Sequence, residues 1–450
     1  MKKNIWIFLF GIFILTIGTV TYFKMNHKEE ILKQMSGVVL SMSDEYVIVE
    51  DSNNVMYKFK VEDFIVEVGE EVVIKYTGLL DSNKDVQDIQ VKDYIRSEKK
   101  SVAPEENELG IFKDYYSFAK KKLDIMTLDE KIAQILLVRY PASNAVNTVK
   151  EKQFGGYIFF ATDFKDKTKA EVKSMIKDVQ NVSKIPLLTA VDEEGGSVVR
   201  ISSNSKLVST PFKSPSELYK AGGMDAIRND TLDKSTVLAN LGINLNLAPV
   251  IDVTKNPSDY MYSRSLQEDT ETTSEYAKTV ITASKNGTVS YTLKHFPGYG
   301  NNADTHTGSS TDSRTYESIL KNDLPPFEAG INAGAEAVLV NHNIVTNIDS
   351  SNPASLSIPI HNILRDDLNF TGVIITDELS MGAMDGLSNI YVKAIEAGND
   401  LLIVTDYDSA ITEIKKAVED GTLSEDVIND RALQVLAWKY YKGMIYENQK

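Results

Sequence analysis

The sequence predicts an α/β protein whose largest domain is a (β/α)8 TIM-like barrel, preceded by a small all-β module and an N-terminal transmembrane helix. Three observations support this fold class. Apolar strand-like runs alternate with amphipathic helical stretches across residues 111–450, short β-branched runs fill residues 31–92, and residues 5–23 contain no charged side chain. A chain of 450 residues with 42% hydrophobic content is long enough for one large domain and a smaller one.

The N-terminal segment is predicted to be a membrane anchor or a signal segment over residues 1–30. Residues 5–23 are uncharged over about the length that spans a bilayer. Lys2 and Lys3 precede this run, which favours a cytoplasmic N-terminus. A signal peptide usually has a shorter apolar region and an A-x-A cleavage site, so an uncleaved anchor is favoured over a cleaved signal or a core helix. The expected location is the cell membrane, single-pass with the largest domain outside the cytoplasm, or secretion if the segment is cleaved.

Residues 31–92 are predicted to form a small β-barrel-like module. The β-rich runs are GVVLS, YVIVED, VMYKFKV, EEVVIKYTG and VQDIQV. Turn sequences such as DSNN and DSNK separate some of them, which is typical of a compact all-β unit. The runs carry no motif that indicates a function beyond that of a spacer or docking module. Residues 93–110 are charged and contain Pro and Gly, which suits a linker.

The catalytic domain is predicted to span residues 111–450. Its eight strand candidates are QILLV (134–138), GYIFF (156–160), PLLTAV (186–191), NLNLAPVI (244–251), VSYTLKH (289–295), AVLVN (337–341), GVIIT (372–376) and DLLIVT (400–405). Apolar strands that alternate with helices indicate a parallel sheet buried on both faces. Eight such units fit a closed barrel, whose functional residues lie at the carboxyl ends of the strands. A doubly wound open sheet is the alternative, but the glycine-rich dinucleotide loop that such a sheet often carries is missing.

Composition excludes several classes of function. The 64 acidic and 48 basic residues give a net charge of −16, so no extended basic surface is available for nucleic acid. The chain contains no Cys, which excludes disulfides, thiolate catalysis and cysteine-based metal sites. A metal site would have to use His and carboxylates.

Polar motifs follow five successive strand candidates, from the third to the seventh. The motifs are DEEGGSVVR, DVTKNPSDYMYSRSL, KHFPGYGNNADTH, NHNIV and DELSMGAM. Any one of them could be a solvated loop, but together they place many charged and hydrogen-bonding residues at one rim of the predicted barrel. The loops at the opposite rim contain fewer such residues. The sequence therefore predicts an active site at the carboxyl ends of these strands.

Asp377 directly follows the apolar run GVIIT, so its carboxylate is expected at the mouth of the barrel. Such a carboxylate can be a nucleophile, a base or a metal ligand. Retaining glycoside hydrolysis needs a nucleophile and a separate acid/base. His306 can titrate near neutral pH, and Asp304 could orient its imidazole. The glycines at 298 and 300 would let the loop that carries both residues move over the site.

The order and spacing of the motifs resemble those of family 3 glycoside hydrolases. The matching segments run from MTLDEKIAQILLV through DEEGGSVVR, SRSL, KHFPGYG, DTH, PASLS and TDELSMGAM to DRALQVLAWK, over about three quarters of the chain. The motifs are most similar to those of the β-N-acetylglucosaminidase branch, which removes terminal GlcNAc from peptidoglycan-derived material. The family usually has His where this chain has Tyr299, and Asp where this chain has Glu378.

The resemblance implies a retaining exo-β-N-acetylglucosaminidase (a β-N-acetylhexosaminidase) acting on cell-wall glycans without a cofactor or metal. Asp377 resembles the nucleophile, His306 the acid/base and Asp304 its partner. The residues similar to sugar-binding residues of the family are Asp192, Arg200, Arg264, Lys294 and His295. His342 receives no assigned role, and Asp252 fits a structural role as well as a functional one.

Two other functions stay open, and so does the nature of the acceptor. A metal-dependent barrel hydrolase would use His295, Asp304, His306 and Asp377 as ligands. A non-catalytic glycan-binding protein would bind saccharide without turnover. A deprotonated His is neutral and does not repel an anion as a carboxylate would. Phosphate could therefore compete with water for the glycosyl enzyme. The expected partner is the carbohydrate substrate, with a monomer as the default state.

Overall fold

A computed structural model describes residues 33–42, 46–51, 56–60, 71–77, 90–96, 110–305 and 308–446. The chain divides into two compact units, Met1–Glu108 and Leu109–Lys450. The predicted segment 1–30, most of the predicted linker 93–110 and His306 lie outside the described residues.

The first unit contains one five-stranded antiparallel sheet. Its strands are β1 (Lys33–Met42), β2 (Tyr46–Asp51), β3 (Met56–Lys60), β4 (Glu71–Thr77) and β5 (Gln90–Arg96). Their order in the sheet is β3-β2-β1-β4-β5, so β3 and β5 are its edges among the described strands. Val47 and Val49 on β2, and Val72, Ile74 and Tyr76 on β4, are buried at every second position. This period of two is what places one face of a strand against a core. Strand β5 continues past residue 92, the predicted end of the module.

The second unit is a nearly closed barrel of eight parallel strands. They are β6 (Leu136–Arg139), β7 (Gly156–Phe159), β8 (Leu188–Val191), β9 (Leu245–Asn246), β10 (Ser290–Phe296), β12 (Ala337–Val340), β14 (Val373–Thr376) and β15 (Leu402–Val404), with β11 (Thr311–Asp312) and β13 (Ile344–Val345) forming a separate parallel pair. The strand order is β14-β12-β10-β9-β8-β7-β6-β15. A bridge between Ile375 and Leu401 joins the two ends of this order. The predicted α/β class and eight-stranded barrel architecture are confirmed at this level, and the open doubly wound alternative is excluded.

Helices surround the barrel and connect its strands. They are α1 (Tyr116–Leu123), α2 (Leu128–Gln134), α3 (Ala145–Lys152), α4 (Ala161–Phe164), α5 (Lys169–Asn181), α6 (Pro215–Leu241), α7 (Thr270–Ser284), α8 (Tyr316–Asn322), α9 (Leu324–Asn332), α10 (Ile358–Asn362), α11 (Ile390–Ala397), α12 (Tyr407–Glu419) and α13 (Glu425–Tyr441). Capping boxes start α2, α5 and α6 at Thr127, Thr168 and Ser214, each with a Glu three positions later. Each box satisfies backbone N–H groups that would otherwise lack partners, which fixes where the helix begins.

The eight predicted strands all occur in the predicted order, and burial explains their composition. Every residue of β7, β8, β10, β12 and β14 is buried. Both faces of such strands contact side chains, so the sequences of β7, β8, β12 and β14 are largely apolar, whereas β10 carries Lys294 and His295 near its carboxyl end. The fourth strand is much shorter than the predicted 244–251, because Pro249 has no N–H to donate to the sheet. The pairing resumes as a single bridge between Val250 and Lys294.

No helix within the described residues is long and apolar enough to cross a bilayer. The two longest helices show why: α6 is interrupted by non-helical backbone at Gly222 and Gly223, and α13 carries charged residues at both ends. This finding contradicts the predicted single-pass membrane location. The apolar segment 5–23, on which that prediction depended, lies outside the described residues.

Lys439 on α13 gives a testable property of the barrel. Its side chain is fully buried, its Nζ donates to Gln134 Oε1 at 2.8 Å, and burial lowers its pKa from 10.5 to about 7. Between these two pKa values the unfolded chain binds a proton that the folded chain does not, so raising the pH stabilises the fold.

We therefore expect the wild type to gain stability relative to Lys439→Met as pH rises above about 7, by up to about 1.4 kcal/mol per pH unit. Urea unfolding of both proteins at a series of pH values measures this difference. Parallel stability profiles for the two proteins would show that Lys439 is not buried uncharged.

Candidate active site

A cavity of about 240 Å³ opens where the predicted site lies, at the carboxyl ends of the barrel strands. Its polar lining residues are Asp192, Glu194, Arg200, Tyr260, Arg264, Lys294, His295, Tyr299, Asp377 and Glu378. The apolar residues that complete the lining are Ile158, Phe160, Val198, Leu247, Leu339 and Ile403. The cavity therefore combines a hydrophobic base with convergent polar groups, which is typical of a small-molecule site.

Lys294, near the end of β10, is the centre of a buried ionic network. Its Nζ lies 2.8 Å from Asp192 Oδ1 and 2.7 Å from Glu194 Oε1. The Lys294 side chain is only 3% exposed. A buried ammonium is stable only when it is paired, and here two carboxylates supply the pairing. Burial alone would lower the pKa of Lys294, but the two carboxylates outweigh it and raise the pKa.

Arg264 joins the same network from the loop that follows β9. Its Nε and Nη2 bind the two oxygens of Glu194 at 2.9 and 2.6 Å, a bidentate pair. Burial would raise the pKa of Glu194, but Arg264 and Lys294 overcome this and hold it below its usual range. Glu194 is thus an ionised carboxylate that fixes two cations in the wall of the cavity.

Arg200 reaches the cavity from the loop after β8. Its Nη2 lies 3.4 Å from Asp192 Oδ2, and its guanidinium stacks over the Phe160 ring at 5.2 Å. The neighbouring Glu193 faces away and accepts backbone N–H groups of Arg200 and Ile201 at 2.9 and 2.6 Å. Glu193 therefore fixes the loop that carries Arg200. Among the described residues, the buried Arg200 Nε has no hydrogen-bond acceptor.

His295 is oriented by contacts at both ring nitrogens. Its Nδ1 lies 2.7 Å from Asp252 Oδ2, and its Nε2 lies 3.2 Å from Arg264 Nη2. A carboxylate only accepts and a guanidinium only donates, so the proton resides on Nδ1 and Nε2 accepts. Asp252 has a structural role, because its Oδ1 also accepts the Tyr299 N–H at 2.7 Å.

Asp377 follows β14 and lines the cavity, as predicted. Its backbone N–H donates to Val340 O at 2.9 Å, and its Oδ1 accepts the Glu378 N–H at 2.9 Å. His342 supports this turn from the end of β12: its Nε2 donates to Glu378 O at 3.0 Å and its Nδ1 accepts from Ser355 Oγ at 2.7 Å. His342 thus orients the backbone beside Asp377.

Glu378, the departure from the commoner family motif, contacts the end of the last barrel strand. Its Oε1 accepts the Thr405 N–H and its Oε2 accepts the Thr405 hydroxyl, both at 3.1 Å. Burial raises the pKa of Glu378. The side chain therefore ties the turn after β14 to the turn after β15.

The loop after β10 carries Asp304, which lies beside Tyr260 in the cavity wall. Burial raises the pKa of Tyr260, Arg264 opposes this, and a hydrogen bond to Asp304 adds to it. His306 lies outside the described residues. The chain on either side is fixed: Thr305 O accepts the Ala383 N–H at 3.1 Å, and Ile344 N donates to Ser310 O at 2.8 Å.

The glycines of this loop pack closely against side chains beneath it, and the loop movement expected from them stays a prediction. Both have positive φ, +122° at Gly298 and +57° at Gly300. A Cβ at Gly298 would lie 2.4 Å from Asp323 Oδ1, and one at Gly300 would lie 2.5 Å from Arg314 Cζ. Arg314 and Asp323 form an ion pair at 2.7 Å under the loop. The positive φ favours glycine at both positions, and at Gly298 a Cβ would also lie 2.7 Å from Asp323 Cβ.

The geometry disfavours the metal-dependent alternative at His295. Both of its ring nitrogens are engaged, and Lys294 and Arg264 would place positive charge beside a cation. Within the part of the chain that the structure describes, no cluster of three or more His, Asp or Glu side chains could hold a metal ion. That part does not include His306.

The family is decided by comparison with known proteins. A family described as the glycosyl hydrolase family 3 N terminal domain matches residues 127–438. The chain belongs to glycosyl hydrolase family 3. The resemblance seen in the motifs is thereby confirmed, and so is the prediction that the chain is an enzyme, a glycoside hydrolase.

Relatives of this family 3 hydrolase include two curated bacterial proteins. It is 30% identical over 272 residues to a beta-hexosaminidase of Xylella fastidiosa strain M23, covering 58% of this chain and 79% of that protein. It is 29% identical over 328 residues to the beta-hexosaminidase LpqI of Mycobacterium tuberculosis, covering 69% of this chain and 82% of LpqI.

A solved structure shares the fold. The family 3 β-N-acetylglucosaminidase from Paenibacillus sp. strain FPU-7 aligns with a TM-score of 0.66 and 29% sequence identity. The alignment covers 71% of this chain and 63% of the other chain. The region that matches this chain is thus less than two thirds of the Paenibacillus protein.

The structure brings seven of the eight predicted site residues to one end of the barrel. It adds four polar residues to which the sequence analysis gave no site role: Glu194, Tyr260, Tyr299 and Glu378. Glu194 and Tyr260 both line the cavity of this family 3 hydrolase. A signal for Glu194 existed: it lies two positions after Asp192, and alternate residues of an extended segment point the same way. Tyr260 had no such signal, because it lies in an irregular loop.

Glu194→Gln tests the buried network. Removing the charge leaves Lys294 and Arg264 close together with Asp192 as the remaining carboxylate of the network. Breaking a buried pair in this way costs about 3–5 kcal/mol. We expect a loss of that size in the free energy of urea unfolding.

The matched control is Asp408→Asn, which removes the acid of a pair with Lys152 that is 68% exposed on the Asp408 side. Little change is expected there. Similar unfolding free energies for the two variants would contradict the importance of Glu194.

Proposed function

We propose that this family 3 hydrolase is a retaining exo-β-N-acetylglucosaminidase that removes terminal β-linked GlcNAc from cell-wall glycans of the peptidoglycan type. The observation that carries the proposal is the placement of Asp377 in one cavity with the ionic network of Asp192, Glu194, Arg264 and Lys294. A carboxylate faces a set of charged hydrogen-bonding groups, as a hydroxyl-rich ring requires.

In the proposed first step, Asp377 attacks the anomeric carbon of the sugar. The bond from that carbon to the leaving oxygen breaks as the glycosyl–aspartate ester forms. His306, as the imidazolium, donates a proton to the departing oxygen, and Asp304 stabilises its charged form.

In the second step, the neutral His306 removes a proton from water. The water oxygen attacks the anomeric carbon, the ester bond breaks, and Asp377 is released as a carboxylate. Two inversions at the same carbon give net retention. No cofactor enters either step.

The sugar ring is proposed to bind to Asp192, Arg200, Arg264, Lys294 and His295. Asp192 can accept from ring hydroxyls, and Arg200 Nε is a buried donor without an acceptor among the described residues. Because the network is held by strand ends and by ion pairs, the donors are oriented before substrate binds. Such preorganisation favours the transition state.

The substrate class rests on two supports. The relatives named above are beta-hexosaminidases and a β-N-acetylglucosaminidase. The cavity of about 240 Å³ is smaller than the sites that hold drug-sized ligands, and its size suits a single sugar ring at a chain end.

The proposal is tested by release of a chromogenic leaving group from β-GlcNAc and β-glucose substrates. We expect a preference for β-GlcNAc, a loss of at least about a thousandfold in kcat/KM for Asp377→Ala, and a loss of about 10²–10⁴ for His306→Ala.

Asp385→Asn is the control, because Asp385 is an exposed carboxylate on the segment that follows Asp377. It should retain wild-type activity. Saccharide binding without turnover by the folded wild type would replace the proposal with the glycan-binding alternative.

A further inference from the structure

We propose that Phe160 is a positioning residue for sugar binding: its ring sets the plane of the Arg200 guanidinium, whose Nε–H is directed to an oxygen of the substrate. The inference rests on the proposed function, in which Arg200 binds the sugar ring. It concerns a side chain directly after β7 to which the sequence analysis gave no role.

Of the three cations that line the cavity, Arg200 has the weakest ionic pairing. Lys294 contacts two carboxylates at 2.8 and 2.7 Å, and Arg264 binds Glu194 through two bonds of 2.9 and 2.6 Å. Among the described residues, Arg200 has one ionic contact, from Nη2 to Asp192 Oδ2 at 3.4 Å. This distance exceeds the roughly 2.8 Å of a strong charge-assisted hydrogen bond. The carboxylate alone therefore does not fix the plane of the guanidinium.

The Phe160 ring supplies a second contact to Arg200. The Arg200 Cζ lies over this ring, 5.2 Å from its centroid, and both residues line the same cavity. A guanidinium is attracted to an aromatic face, and stacking on that face restricts the rotation of its plane. The Arg200 backbone is held separately, because its N–H donates to Glu193 Oε2 at 2.9 Å. Two different neighbours thus fix the backbone and the guanidinium of Arg200.

Asp163 and Arg139 hold Phe160 in place. The Phe160 N–H donates to Asp163 Oδ2 at 2.7 Å, and the same carboxylate binds Arg139 Nη1 and Nη2 at 2.6 and 3.1 Å. The Arg139 Cζ in turn lies over the Phe160 ring, 4.5 Å from its centroid. The buried Asp163 balances the charge of this guanidinium. The ring that contacts Arg200 is therefore attached to the barrel through its backbone and through one of its faces.

The Nε–H of Arg200 is the donor that this arrangement leaves for the substrate. It is buried and meets no acceptor within the residues that the structure describes. An unpaired buried donor costs free energy, which an acceptor brought by a ligand recovers. The hydroxyl and acetamide oxygens of the proposed sugar are such acceptors. Because the guanidinium is held in one plane, Arg200 is expected to recognise one polar group of the sugar.

Phe160→Leu keeps an apolar side chain and removes the aromatic face. We expect kcat/KM on an aryl β-GlcNAc substrate to fall about 10- to 100-fold, because a binding group that is no longer oriented loses much of its effect. The decisive comparison places Phe160→Leu in the Arg200→Ala background, where it should cost no further activity. An equal loss in both backgrounds would show that Phe160 acts without Arg200 and would overturn the inference.

A series of aryl β-glycosides tests where the Arg200 Nε–H is directed. Each substrate lacks one polar group of the GlcNAc ring, either a hydroxyl or the acetamide. One member of the series should respond to neither Phe160→Leu nor Arg200→Ala, because the group that Arg200 binds is already absent from it. A general structural defect would lower activity on every member alike. Equal losses across the whole series would therefore contradict the positioning role.

Phe370→Leu is the matched control. The Phe370 ring also lies against a guanidinium, that of Arg365 at 5.5 Å, but Phe370 precedes β14 at the opposite end of the barrel. The folded variant should keep the wild-type kcat/KM. A loss as large as that of Phe160→Leu would show that the effect is not specific to the site and would count against the inference.

If Phe160→Leu does not fold, Arg139→Met combined with Asp163→Asn decides by the same comparison. This pair removes both charges that hold the ring, so no buried carboxylate is left without its cation. Inactivity of the wild type on every β-GlcNAc substrate would refute the proposed function, and the positioning role would fall with it. An active wild type with unchanged kcat/KM in Phe160→Leu would refute the positioning role alone.

Discussion

The buried ammonium of Lys294 is the constraint on which the site depends. Its Nζ sits between Asp192 and Glu194 at 2.8 and 2.7 Å, with the side chain 3% exposed. A charge at that depth must be matched, and the match draws together the end of β8, the end of β10 and, through Glu194, Arg264 from the loop after β9. The shape of the proposed sugar site is therefore a consequence of electrostatic pairing as much as of the barrel.

The groups proposed to bind the sugar and the group proposed to transfer the proton belong to different parts of the structure. Most of the charged groups proposed to face the sugar lie at strand ends, as Asp192, Lys294 and His295 do, or are bidentately paired, as Arg264 is. The proposed proton-transfer group belongs to the loop after β10, whose described part packs its glycines against Asp323 and Arg314. Asp377 lies between these parts, on a turn that His342 and Glu378 hold to neighbouring strands. Binding and proton transfer are thus built from separate elements that meet over one cavity.

The barrel could be predicted because most of its strands are buried on both faces and so have apolar sequences, and Asp377 could be placed because it directly follows one of these strands. Where loops decide the geometry, less of the structure could be predicted from the sequence. Pro249 shortened the fourth strand. Tyr260 could not be predicted as a site residue because it lies in an irregular loop, and Glu194 was not predicted although it lies two positions after Asp192. The close packing of the glycines at 298 and 300 against Asp323 and Arg314 could not be predicted, because these contacts leave no trace in local sequence.

The claim at the centre of this account is that Asp377 becomes covalently glycosylated. In His306→Ala, an activated aryl β-GlcNAc substrate should form the ester without acid assistance, while its hydrolysis is slowed by the missing base. Rapid quenching, digestion and mass spectrometry of the peptide that contains Asp377 measure this directly. The account predicts a mass increase of one N-acetylhexosaminyl unit on Asp377. Release of the aryl group with no modified Asp377 peptide, and with product of inverted configuration, would contradict it.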